Sequence, residues 1–221
     1  MRLPVLLSIV ALLAAGCVQT SGSRRASDDN AGVSSDPSDA EKRASVRLEL
    51  AGGYFSRGQF NTALDEIKLA LAAKPDMGAA YNMRGLVYAA MGEERLAEES
   101  FERAMSLNPR DADAMHNRAW FKCQRGEYDD ADRLFEQAIA TPQYRDLARS
   151  LMAQGICFAR AGRMVPAEQK LLRAYEIDPT NPTTAYNLAD VLYRRSELER
   201  ARFYVRRIND NDELSNAQTL W

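Results

Sequence analysis

Residues 92–109 read GEERLAEESFERAMSLNP. Ala97, Phe101 and Ala104 stand four and three residues apart, which places them on one face of a helix. Gly92 opens the stretch and Pro109 closes it, and both are residues at which helices end. The same pattern recurs in blocks that begin at Gly58, Gly126, Gly162 and Ser196. With Gly92 included, the intervals are 34, 34, 36 and 34 residues.

The internal spacing is kept from block to block. Ala63, Ala131, Ala167 and Ala201 match Ala97. Ile67, Phe135, Leu171 and Val205 match Phe101, and Ala70, Ala138, Ala174 and Ile208 match Ala104. Small residues let a neighbouring helix approach, and the large one fills the space beside them. Pro75, Pro142 and Pro179 close blocks as Pro109 does. Upstream of each block opener lies a second amphipathic stretch, with Ala51, Gly85, Ala119, Gly155 and Ala189 as its small residue. Ala, Leu, Glu and Arg dominate, and runs of β-branched residues are missing, so the expected fold is all-α.

Repetition at this period resembles the tetratricopeptide repeat, over about 170 residues. The expected architecture is a superhelical solenoid of five full repeats, residues 44–213, in which each repeat buries its apolar face against its neighbours. The departures from the family pattern are local. Lys122 replaces an aromatic residue and Ser196 a glycine, and Arg84, Arg118 and Gln154 stand where leucine is preferred. Two extra residues near Thr141–Leu147 predict a longer or bent turn between the third and fourth repeats. Residues 214–221 read as the start of a sixth first helix, with Ser215-Asn216 as its cap, and this predicts a longer natural product or a fragment.

The N-terminal region reads differently. Arg2 precedes an apolar run from Leu3 to Ala15, too short for a stable membrane span and suited to a secretory signal. Ala14-Ala15-Gly16-Cys17 resembles the lipobox of bacterial lipoproteins, with Leu13 one position further from the cysteine than usual. That resemblance implies a signal peptide over 1–16 and acylation of Cys17. Val18 after the cysteine, rather than aspartate, points to the periplasmic face of the outer membrane. Residues 17–43 are rich in Ser, Asp, Arg, Gly and Ala and read as a disordered tether. The segment from Val18 to Arg43 spans roughly 28 Å on average and about 90 Å at full stretch.

The formal net charge is −2, and no stretch concentrates enough Lys and Arg to suggest nucleic-acid binding. No cofactor and no metal are expected. Asp111, Asp113 and the single histidine, His116, form no second ligand cluster, and Asp111 reads as a helix N-cap after Asn108-Pro109. No nucleophile, base and orienting group recur at a recognisable spacing, so the chain is not expected to be an enzyme.

In tetratricopeptide arrays the first helices line a concave groove that holds a peptide or a partner's helix. The family's groove positions fall on Leu48 and Phe55, on Asn82 and Leu86, and on His116, Trp120 and Gln124. They continue with Met152, Ile156 and Arg160, and with Tyr186, Asp190, Tyr193 and Arg194. Trp120 is the strongest anchor candidate on residue type. An acidic tail held by a carboxylate clamp is not expected, because the required Lys and Asn set is missing. Cys123 and Cys157 lie on first helices of adjacent repeats. An oxidising compartment predicts a disulfide between them if their Cα atoms come within about 7 Å.

Three segments together resemble a narrower family, the PilF/PilW lipoproteins of type IV pilus biogenesis. They are AAYNMRGLVYAAMGEERLAEESFERAMSLNP, AMHNRAWFKCQRGEYDDADRLFEQAIATPQY and QGICFARAGRMVPAEQKLLRAYEIDPTNP. The two cysteines are the most specific part, since general tetratricopeptide repeats require neither. The resemblance implies a monomeric lipid-anchored pilotin that binds a secretin subunit of the PilQ type and aids its outer-membrane assembly. The alternative is a general periplasmic scaffold that gathers cell-wall hydrolases.

Overall fold

The structure is a computed structural model and describes residues 37–209. Ten helices follow one another: α1 (Pro37–Ser56), α2 (Phe60–Ala73), α3 (Gly78–Met91), α4 (Glu94–Leu107) and α5 (Ala112–Gln124). Then come α6 (Tyr128–Ala140), α7 (Leu147–Arg160), α8 (Met164–Ile177), α9 (Pro182–Arg194) and α10 (Leu198–Asn209). They pair as five antiparallel hairpins, one per repeat. The signal segment, Cys17, most of the tether and residues 210–221 lie outside the described residues.

The turn inside each hairpin is set by one left-handed residue. Gly58, Gly92, Gly126 and Gly162 take φ between 71° and 80°, where a side chain would be strained. Ser196 takes the same position with φ 64° and bears that strain. The periodic small and large residues form the interior. Ala63, Ala97, Ala131 and Ala167 are fully buried, and so are Phe101, Phe135 and Leu171. Gly85 and Gly155 mark the closest helix approaches. A Cβ on Gly85 would lie 2.6 Å from the Phe101 ring, and one on Gly155 2.6 Å from Leu171 Cγ.

Hairpins stack by setting each first helix against both helices of the preceding hairpin. First helices meet in succession, α1 to α3, α3 to α5, α5 to α7 and α7 to α9, whereas second helices stand further apart and reach one another through long side chains, as in the Lys170–Glu136 and Arg200–Glu168 ion pairs. First helices therefore crowd the inner side of the array and second helices lie outside. This asymmetry gives the solenoid its curvature.

Two departures from the sequence reading concern boundaries. The first helix begins at Pro37, so residues 37–43 are helical and belong to the first repeat rather than to the tether. Proline suits the opening of a helix, because its fixed φ is already helical and its missing N–H would be unpaired there anyway. Ala44 is fully buried, and an ion pair from Lys74 to Glu41 ties this added turn to the end of α2. The connection between the third and fourth repeats, Thr141–Asp146, has six residues where the others have four.

The polar departures from the family pattern have partners. Arg84 donates to Ser100 Oγ at 3.0 Å and stacks on Tyr81. Arg118 reaches back to Glu98 and Glu102 of α4. Gln154 Nε2 donates to Asp132 Oδ1 at 2.6 Å and to Glu136 Oε1 at 2.7 Å, both on α6. Lys122 lies between Glu98 and Glu127. Burial opposes its charge, but the hydrogen bonds it donates to both carboxylates outweigh that and raise its pKa. The leucine contacts of the family are replaced here by charge-assisted hydrogen bonds, most of them across repeat boundaries.

Candidate partner-binding groove

The concave face is built from α1, α3, α5, α7 and α9, each contributing residues one turn apart. On α1, Leu48 and Phe55 are half-buried in the first-repeat core, and the Phe55 ring lies 5.9 Å from that of Phe60. On α3, Leu86 is half-buried against the cluster that holds Phe101 and Phe121. Asn82 accepts a hydrogen bond from Asn117 Nδ2 at 3.2 Å, and Asn117 Oδ1 accepts one from Arg149 at 3.4 Å. This chain links three repeats. Asn117 and Arg149 escaped the sequence reading because they sit beside the family's groove positions rather than on them.

The middle of the groove carries the best anchor geometry. Trp120 is half-buried against the Ala119, Cys123 and Phe135 cluster, and the Arg160 guanidinium lies 5.0 Å from its ring centre. Such a contact contributes about 0.5–1 kcal/mol when exposed and fixes both side chains at the surface. Gln124 is exposed at the end of the same helix. Met152 and Ile156 are half-buried against the core of the last two repeats. On α9, Tyr186 and Tyr193 are 41% and 66% exposed, and Asp190 pairs with Arg194 at 3.6 Å. The candidate groove thus presents aromatic side chains at Trp120, Tyr186 and Tyr193, with the Arg160 guanidinium and the Asp190–Arg194 pair beside them.

His116 does not line this groove. It is only 4% exposed, and its ring packs edge-on against Phe135. Its Nδ1 is 2.8 Å from Ser150 Oγ, and Tyr144 Oη is 3.0 Å from the same oxygen. The longer connection before α7 brings Tyr144 and Ser150 onto His116 and closes the position. Burial, with the nearby Arg149 charge, pushes the His116 pKa down to about 4, so the ring is neutral at pH 7. A serine hydroxyl on a histidine can signal a nucleophile and its base. Here the hydroxyl is fully buried and the imidazole is a weakened base, so the pair holds two repeats together.

Cys123 and Cys157 are both buried and form a disulfide between α5 and α7, with Cα atoms 5.8 Å apart. Asp111 caps α5, accepting from the N–H groups of Asp113 and Ala114 at 3.1 and 3.0 Å. Burial and the neighbouring carboxylates of Asp111 and Asp146 raise the Asp113 pKa. No described helix is long and apolar enough to cross a membrane.

Comparison with known proteins agrees with this geometry. Tetratricopeptide-repeat models match residues 78–111, 100–133 and 123–182. The type IV pilus assembly protein PilF of Pseudomonas aeruginosa is 25% identical over 199 residues, covering 90% of this chain and 76% of PilF. The chain is a tetratricopeptide-repeat protein homologous to PilF and PilW. The crystal structure of PilW, described as a widely conserved type IV pilus biogenesis factor, superposes with a TM-score of 0.74 at 27% identity. That match covers 80% of this chain and 81% of PilW. The P. aeruginosa PilF structure superposes with a TM-score of 0.75 at 22% identity, covering 82% and 81% of the two chains. An uncharacterized protein of Haemophilus influenzae is 28% identical over 137 residues, covering 61% of this chain and 75% of that protein. The scaffold is thus the tetratricopeptide-repeat fold that these pilus-assembly relatives share.

Proposed function

We propose that this protein acts in type IV pilus biogenesis as a lipoprotein of the outer membrane. Its concave face binds a secretin subunit of the PilQ type and aids the subunit's localisation and assembly. The observation that carries this reading is the similarity to the pilus assembly protein PilF along 90% of the chain. The anchor site is Cys17, which lies outside the described residues. The mechanism is capture: acyl chains hold the module at the membrane, the tether gives reach, and the groove binds a segment of unassembled secretin. Two or more acyl chains make such anchoring stable, whereas one is marginal.

Aromatic and guanidinium anchors support the groove as the contact surface, since Trp, Tyr and Arg dominate binding energy at protein interfaces. The test uses the purified protein and a soluble secretin fragment in titration calorimetry. Trp120→Ala weakens binding by about tenfold or more, while Cys17→Ser leaves affinity unchanged and abolishes delivery of secretin multimers to the outer membrane. Because Trp120 also packs on the core, the variant's thermal melt is measured alongside. Equal affinity of wild type and Trp120→Ala removes the concave face as the docking surface. Envelope pull-downs that return cell-wall hydrolases and no secretin replace this reading with the scaffold one.

A further inference from the structure

The six-residue connection Thr141–Asp146 takes a detour, and Gln143 within it holds a left-handed conformation with φ 60°. Non-glycine residues held there carry strain, and such strain gathers at functional sites. Between this connection and the preceding one, Asn108–Asp111, lies a cleft of about 760 Å³, within the usual size of a ligand site. None of the concave-face residues named above lines it. Met105, Met115, Ala140, Pro109 and Pro142 give it an apolar lining, and Arg110 stands at its side. Thioether side chains reshape to fit different apolar guests.

Arg110 supplies the chemical selectivity. Among the described residues its guanidinium makes no ion pair, unlike those of Arg118, Arg125, Arg163, Arg195 and Arg200. The adjacent Asp111 is engaged in capping α5. An exposed guanidinium beside an apolar recess is complementary to a carboxylate carried next to an apolar side chain. We propose that this cleft is a second docking point, separate from the concave face, for a partner segment in which an apolar residue is followed by Asp or Glu. The apolar side chain enters between the two methionines and the carboxylate pairs with Arg110.

The test uses the folded protein with methyl-13C methionine, its Met105 and Met115 signals assigned from the Met105→Leu and Met115→Leu variants. The probes are N-acetyl-Leu-Asp-amide and N-acetyl-Leu-Asn-amide, which differ only in charge. The Asp probe is expected to shift both methyl signals with millimolar affinity. The Asn probe binds about tenfold more weakly, the loss expected for a hydrogen bond to a charged group. Arg110→Ser, an exposed change that leaves the melt unaltered, lowers affinity for the Asp probe by the same factor. Unshifted methionine signals, or equal affinity for the two probes, or an Arg110→Ser protein that binds as wild type, each overturns the proposal.

Discussion

Gly155→Ala isolates the close approach on which the repeat stacking depends. In an open helix interior this change stabilises by about 0.5–1 kcal/mol, because alanine loses less chain entropy than glycine. Here the new methyl carbon would lie 2.6 Å from Leu171 Cγ and 3.1 Å from both Ala167 O and Leu171 N. The Leu171 side chain must move by about 1 Å to restore ordinary contact. It is fully buried, so it has nowhere empty to go. The two backbone contacts require α8 itself to shift by a few tenths of an ångström. Overpacking of this kind costs about 1–3 kcal/mol, at the upper end where backbone must move. The expected net loss is about 2 kcal/mol, or a fall in Tm of about 4–8 °C for a domain of this size. Urea unfolding followed by circular dichroism measures it, with an unchanged slope showing that the transition keeps its character. Leu171→Ala alone costs about 2–5 kcal/mol, but in the double variant the added methyl occupies part of the cavity. The two changes should therefore couple favourably by at least about 1 kcal/mol. A Gly155→Ala protein as stable as wild type, or strict additivity in the double variant, refutes the reasoning.

Three other outcomes follow from the same structure. Ser196→Gly relieves a left-handed residue at φ 64° and should raise stability by about 0.5–1 kcal/mol in a urea titration, whereas Gly92→Ser should lower it by a similar amount. The Cys123–Cys157 disulfide closes a separation of 34 residues, for which the chain-entropy relation gives about 3.8 kcal/mol at 25 °C. Replacing both cysteines by alanine should lower stability by about 2–4 kcal/mol, and a change under 1 kcal/mol would contradict this assignment of loop entropy. His116, with a folded pKa of about 4 against an ordinary value of 6.5, stays neutral in the fold and takes its proton first in the unfolded chain. Its contribution is complete above pH 6.5 and is lost as pH falls through 4, a span of about 3 kcal/mol. His116→Gln should flatten the stability profile between pH 6.5 and 4, leaving the losses at lower pH that come from Glu127 and Glu136. The pKa of each of these is held down by its hydrogen-bonded cation, Lys122 for Glu127 and Lys170 for Glu136.

The repeat frame was legible because backbone geometry demands it. Only a residue that tolerates positive φ can close each hairpin, so Gly58, Gly92, Gly126 and Gly162 announce the turns, and Ser196 is recognised by its place in the series. The helix interfaces were legible for a similar reason, since Ala97, Phe101 and Ala104 must alternate in size for neighbouring helices to meet. The start of α1 was not legible. Residues 37–43 are polar, and what holds them is an ion pair to Lys74, more than thirty residues away. His116 was misplaced for a related reason. Two inserted residues change the register of α7, and no local pattern says that Ser150 and Tyr144 will then cover the ring. A further sequence signal marks the repeat interfaces. Glu98, Asp132 and Glu168 recur on the repeat beat, and each meets a polar or cationic residue of the next repeat: Arg118, Gln154 and Arg195.

These details concentrate at one junction. In a solenoid, stability comes close to a sum of nearest-neighbour interfaces, so a weak interface is a place where the array can part. The third connection is the longest, and a longer connection leaves the following repeat less constrained in position. Across this same interface lie the Cys123–Cys157 disulfide, the hydrogen bonds that Ser150 makes to His116 and Tyr144, and the Gln154 clasp on α6. The covalent bond and the buried polar contacts supply the coupling that chain connectivity relaxes. They also fix the relative orientation of α5 and α7, the helices that carry Trp120 and Arg160. The cation–π pair across that junction is therefore preorganised, and a partner docking there need not order it first. It follows that loosening the junction, by removing the disulfide, should weaken partner affinity even at temperatures where the array stays folded.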